Sequence, residues 1–207
     1  MSSEASKFPL LTTVGPERPV SADVPSASPV YELAGGNDIK DDLDGNTTLA
    51  NMWTRSVRKW PNNPCLGTRV KGKPYTFMTY TEVAAKVDAI ASAIEGLGLG
   101  KQSAVGVYGI NCPEWMITMQ ACNRMSYVCV PLYDTLGENA VEFILNHSEA
   151  SVVFVQGAKL GELAKASKNL EHVKHVVYWG EASEEALSSL ASVAITKFEN
   201  LMKKGEE

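Results

Sequence analysis

No apolar run in this chain approaches the roughly 20 residues that a helix needs to cross a bilayer. The amino terminus lacks the basic and apolar segments of a secretory signal, and its acidic residues argue against an Arg-rich transit peptide. No Cys-x-x-Cys pair occurs among Cys65, Cys112, Cys122 and Cys129. Three of the four lie in apolar runs, where a free thiol behaves as a small buried hydrophobe, so a reducing compartment is expected. No Ser/His/Asp order and no nucleophile elbow is present. Charge of one sign is missing where it would matter most. The net −5 sits in residues 1–50, with three basic and eight acidic side chains, while residues 51–207 balance at 16 of each. A neutral folded part predicts no electrostatic footprint for nucleic acid or anionic membrane.

What is present divides at about residue 45. Residues 1–45 alternate Pro9, Pro16, Pro19, Pro25 and Pro29 with Ser, Ala and Gly, then run into an acidic cluster from Asn37 to Gly45. Burial recovers little of the ordering entropy there, so a flexible tail is expected. Phe8–Leu11 and Val30–Leu33 are its two candidate docking segments. Residues 46–207 read as one folded domain. Asn46 or Thr47 is placed to cap a helix with Leu49, Met52, Trp53, Val57 and Trp60 on one stripe. Cys65–Val70 and Tyr75–Thr79, separated by Lys71-Gly-Lys-Pro74, predict a hairpin. Thr79-Tyr-Thr-Glu82 is a capping box, and behind it Val83, Val87, Ile90, Ile94 and Leu97 recur at helical spacing.

Four β-prone runs follow, Ser103–Tyr108, Tyr127–Leu132, Ser151–Gln156 and His175–Trp179, each starting 24 residues after the last. Leucine-rich repeats have a similar period, but their Leu/Asn signature is missing. Helical segments intervene at Pro113–Met125, Gly137–His147 and Ala158–Ser167, the second opening with a capping box at Thr135-x-x-Glu138. Strand and helix alternating at this spacing predict an α/β fold, a parallel βαβ sheet covered by helices. Two weaker helices are expected after Gly180.

The residues that invite chemical readings have plainer ones beside them. Gly96-Leu-Gly-Leu-Gly100-Lys101 follows a helix and precedes a strand, the reverse of a dinucleotide fingerprint, so it reads as a helix-terminating turn. His172 and His175 have a metal-compatible spacing but no acidic or Cys partner nearby in sequence, and surface histidines are expected. His147 ends a helix, where an imidazole complements the dipole. Asp134 and Glu138 follow a strand end, the side of an open α/β sheet where ligands bind, although turning and capping explain them equally. No catalytic residue and no metal ligand is identified.

Several motifs together resemble one family. Leu66-Gly-Thr-Arg69 resembles a "YLGTRV" segment, Met78-Thr-Tyr-Thr-Glu82 an "MTY.E" motif, and Gly109-Ile-Asn-Cys-Pro-Glu-Trp115 a "G.N.PEW" motif. Val130-Pro-Leu-Tyr-Asp-Thr-Leu-Gly137, with Ala140-Val141 and Asn146-His147, resembles a "VPLYDTLG…AV…NH" block. These are motifs of the amino-terminal part of long-chain acyl-CoA synthetases, in the adenylate-forming, AMP-binding superfamily. The resemblance covers residues 50 to about 200. It implies the first subdomain of the adenylate-forming fold and a two-step fatty acid–CoA ligase. ATP and fatty acid, with magnesium, would give acyl-adenylate and pyrophosphate, and CoA would then give acyl-CoA and AMP.

The phosphate loop, adenine-binding element, ribose-binding Asp and lysine that the resemblance implies for this chemistry are not among the 207 residues. The chain alone is therefore expected to be inactive, and its missing carboxy-terminal half is its implied partner. A carboxy-terminally incomplete copy should also expose an apolar face. One site residue carries over: a basic residue after the third sheet strand contacts the CoA phosphate in some relatives, and Lys159 lies there. A solvated lysine at a helix start is the competing reading. No nucleic-acid partner is expected. The resemblance places the protein in the cytoplasm or peripherally on endoplasmic reticulum or peroxisome. A truncated, non-catalytic paralogue that binds an acyl ligand or a protein is the alternative, and a flavodoxin-like binding domain a more distant one.

Overall fold

The computed structural model describes residues 11–19, 26–34, 45–133 and 139–207. It divides into two units, residues 1–47 and 48–207. In the first, β1 (Leu11–Gly15) pairs antiparallel with β2 (Val30–Leu33), Thr12 facing Glu32 and Thr13 facing Tyr31. Arg18 and Ala27 continue the pairing with reciprocal backbone hydrogen bonds of 3.1 and 3.0 Å. The sequence reading assigned no regular element here. The β-branched Thr12, Thr13, Val14 and Val30 supply strand preference between prolines that suggest only coil.

The second unit opens with α1 (Leu49–Lys59), capped by Thr48, whose hydroxyl accepts from the Asn51 N–H at 3.1 Å. The cap is thus neither Asn46 nor Thr47. None of its residues is buried; of the expected apolar stripe, Trp53 packs on the core and lies 5.8 Å from the Tyr80 ring. β3 (Pro64–Arg69) and β4 (Tyr75–Thr79) form the expected antiparallel hairpin. The capping box of α2 (Tyr80–Glu95) is complete: Glu82 accepts from the Thr79 N–H at 2.7 Å, and the Thr79 hydroxyl accepts from the Glu82 N–H at 3.2 Å. The glycines after α2 end the helix, Gly98 taking φ +80.

Behind α2 lie β5 (Ala104–Tyr108), α3 (Pro113–Met125), β6 (Val128–Leu132), α4 (Ala140–His147) and β7 (Val152–Gln156). Next come α5 (Leu160–Ala166), flanked by single 3₁₀ turns, then β8 (His175–Trp179) and α6 (Glu184–Ser189). The last two elements are β9 (Ala194–Lys197) and α7 (Phe198–Glu206). Five strands form one parallel sheet in the order β6-β5-β7-β8-β9. Alternate side chains feed two cores. Val105, Val107, Val152 and Phe154 pack with α2, α3 and α7, whereas Tyr108, Leu132, Val153 and Val155 pack with α4, α5 and α6. The result is three layers, helix on sheet on helix. Strand β9, not expected from the sequence, is the edge of the sheet and contributes four residues. The capping box at Thr135-x-x-Glu138 lies outside the described residues, and α4 begins after Asn139.

Candidate functional site

The chain leaves β5 for β6 on one side and returns to β7 on the other, so the strand order reverses between β5 and β7. In an open α/β sheet, loops at the carboxyl ends of two such strands diverge and leave a crevice where ligands bind. Here those loops are Gly109–Cys112 and Gly157–Lys159. Their positions are tightly set. A Cβ on Gly157 would lie 2.0 Å from the Glu181 carbonyl oxygen, so only glycine lets the strand end pass the loop after β8. The Ile110 N–H donates to the Gln156 side chain at 3.3 Å, tying the two loops together.

Lys159 stands at this crevice. Its ammonium lies 3.3 Å from Glu162 Oε1 and 5.9 Å from the centroid of the Tyr108 ring. Its side chain is 21% exposed, and it occupies the cap position at the start of α5. Tyr108, almost wholly buried at the end of β5, donates its hydroxyl proton to Glu162. Hydrogen bonding from Tyr108 first, and then from Lys159, holds the Glu162 carboxyl below its ordinary value. The three form a short polar chain of phenol, carboxylate and ammonium above the carboxyl end of the sheet. The sequence reading found Lys159 alone. Tyr108 closes an apolar run, and Glu162 shares a helix turn with Lys159, so only the reversal of strand order identifies the cluster.

The other singled-out residues do not join it. Asp134 and Glu138 lie outside the described residues. His175 begins β8 at the opposite, amino end of the sheet, and His172 lies 3.9 Å from Glu171. His147 stacks on Phe143 with centroids 5.4 Å apart, at the end of α4. Cys112 occupies the cap position of α3, where burial pushes its thiol up to about 11 and keeps it protonated at neutral pH. Contact with Cys129, together with burial, pushes the Cys122 thiol up as well. Among the described residues no helix is long and apolar enough to cross a membrane.

The fold matches known structures over about three quarters of the chain. The adenylation domain of a carboxylate reductase from Mycobacterium chelonae superposes with a TM-score of 0.69 at 19% identity, over 77% of this chain and 29% of that one. An anthranilate CoA ligase in complex with anthranoyl-AMP gives 0.64 at 20% identity, over 76% and 28%. Among curated proteins, long chain acyl-CoA synthetase 4 of Arabidopsis thaliana is 41% identical over 190 residues, 88% of this chain. Long chain acyl-CoA synthetase 2 of the same plant is 41% identical over 85% of it. The chain spans 28% of the length of each of these two relatives. The family model for AMP-binding enzymes matches residues 53–203, and this protein belongs to that family.

Proposed function

We propose that this chain is the first part of a long-chain fatty acid–CoA ligase and is inactive by itself. The observation that carries the reading is 41% identity to a long chain acyl-CoA synthetase, sustained over 190 residues. The activity is formation of acyl-CoA from fatty acid, ATP and CoA through an acyl-adenylate. The residues described here do not fit a nucleotide with its magnesium. The Gly96–Gly100 run ends a helix instead of opening one, and Glu162 is already engaged by Tyr108 and Lys159. What these residues supply is the scaffold behind the chemistry, a helix-covered sheet whose carboxyl ends form one wall of a crevice.

Within that reading Lys159 binds a phosphate of CoA. Its position at the strand-order reversal supports this, as does its orientation by Glu162 and the Tyr108 ring. A phosphate competes with Glu162 for the ammonium, as a multiply charged acceptor against a singly charged one. Peripheral attachment to a membrane, expected of an enzyme with acyl-chain substrates, belongs to the same proposal.

The test is a chimera joining residues 1–207 to the downstream part of the Arabidopsis synthetase 4. The isolated chain should make no acyl-CoA from a long-chain fatty acid, ATP and CoA, whereas the chimera should. A chimera that folds but stays inactive would overturn the ligase reading, and acyl-CoA formation by the isolated chain would overturn its inactivity. In an active chimera, Lys159→Ala should raise KM for CoA with kcat little changed; an unchanged KM removes Lys159 from the site.

A further inference from the structure

Two of the four free cysteines meet inside the fold. Cys122 lies on the last turn of α3, and Cys129 is the second residue of β6. The turn between them is tightly made. Ser126 takes the left-handed conformation at φ 59, and the N–H groups of Ser126 and Tyr127 both donate to the Cys122 carbonyl, the second at 2.9 Å. The chain therefore doubles back under its own helix. Cys129 stands beside Val105 in the parallel register, on the face of the sheet that packs with α2, α3 and α7. Cys122 is fully buried on that same side, and its S–H donates to the Cys129 sulfur.

Two apolar side chains would fill this space as well, since a buried thiol packs as a small hydrophobe. What a pair of thiols adds is the capacity to be oxidised to a single bond. The two differ in the way that reaction needs. Cys129 is half-buried at one edge of the sheet, and the bond from Cys122 holds its thiol below its ordinary value. It is the sulfur a small oxidant reaches and the one nearer to thiolate. Cys122, buried and protonated, already lies against it. These contacts are internal to α3 and β6 and do not depend on what covers the outer surfaces of the chain.

We propose that Cys122 and Cys129 form a redox pair, which a hydroperoxide joins in a reversible disulfide that fastens α3 to β6. The Cys129 thiolate attacks a peroxide oxygen and breaks the O–O bond, leaving a sulfenic acid. The Cys122 sulfur then attacks the sulfenic sulfur, and its proton leaves with the displaced hydroxyl as water. With hydrogen peroxide, two thiols and one peroxide give one disulfide and two waters, the sulfurs being oxidised and the peroxide oxygens reduced. A thiol reductant restores both thiols by exchange and is itself oxidised. Such a bond suits a reducing compartment, where disulfides are transient and report on oxidant.

The test is hydrogen peroxide on the folded 207-residue chain, then blocking of free thiols, trypsin and mass spectrometry without reduction. Cleavage after Arg124 separates the two cysteines, so the bond appears as residues 102–124 joined to residues 125–159. Fragmentation assigns it to Cys122 rather than to Cys112 on the same peptide. Free thiols should fall from four to two, and dithiothreitol should restore all four. In C122A the reaction should stop at the Cys129 sulfenic acid, which dimedone traps.

Four thiols that survive peroxide overturn the proposal. So does a bond from Cys129 to Cys65 or Cys112, or one between two chains. In urea, links among all four cysteines should appear. The same mixture in native buffer overturns the proposal too, because chance encounter and not the fold would then choose the partner. Should C122A fail to fold, the link mapped in the parent decides.

Discussion

The parallel sheet and the antiparallel hairpin use the same kinds of residue to opposite ends. In β7, Val152 to Val155 are all fully buried, because helices cover both faces of the sheet. In β4, Tyr75 and Phe77 are exposed, because they lie on the face of the hairpin opposite Leu66 and Met78, which pack on the core. Removing an apolar side chain should therefore have very different consequences in the two places.

Phe154→Ala would show the contrast at its largest. Phe154 is fully buried and lies edge-on to Phe198 at 6.1 Å, so its truncation should cost about 3–5 kcal/mol in urea denaturation. Phe77→Ala should change stability by less than about 0.5 kcal/mol. Comparable losses at the two sites would mean that the hairpin face is covered after all.

A smaller effect is expected at Gly157. Its alanine variant drives a Cβ into the Glu181 carbonyl and should destabilise by about 1–3 kcal/mol, read as a lower denaturation midpoint. An unchanged midpoint would show that the loop after β8 yields freely.

The two helix caps sharpen the comparison further. Thr79→Ala removes one half of a reciprocal box at the start of the largely buried α2, and should cost about 1–2 kcal/mol. Thr48→Ala, at the start of the exposed α1, should fall at the lower end of the capping range, about 0.5 kcal/mol. The first cap also titrates. Hydrogen bonds from the Thr79 N–H and hydroxyl lower the Glu82 carboxyl below its ordinary value. Its contribution to stability is complete above the ordinary glutamate value and is lost as pH falls through the lowered one. Glu82→Gln should remove that acid-side dependence, and a variant with the parent's pH profile would show that the dependence arises elsewhere.

How much was legible follows the same division. The inner strands announce themselves as unbroken apolar runs such as Val152-Val-Phe-Val155, and α2 by its capping box and its repeat from Val83 to Ile94. Strand β9, Ala-Ile-Thr-Lys, was not legible, because four residues at a sheet edge carry no periodicity of their own. Strands β1 and β2 were hidden by surrounding prolines. Lys159 was found through a resemblance, not through a pattern. Its partners Tyr108 and Glu162 come together only when β5 and β7 become neighbours, which no local signal encodes.

The strand order also bears on how the protein is made. Each strand of the sheet lies beside one contributed by a nearby stretch of sequence, the widest gap between starts being from Ala104 in β5 to Val152 in β7. Loop closure over such separations costs little entropy, so pairing can proceed strand by strand. A ribosome that has released β7 has already presented three of the five strands, β5, β6 and β7, with α2 and α3 from one covering layer and α4 from the other. The sheet can therefore assemble during synthesis, keeping its valine-rich strands from lingering in water beside other nascent chains.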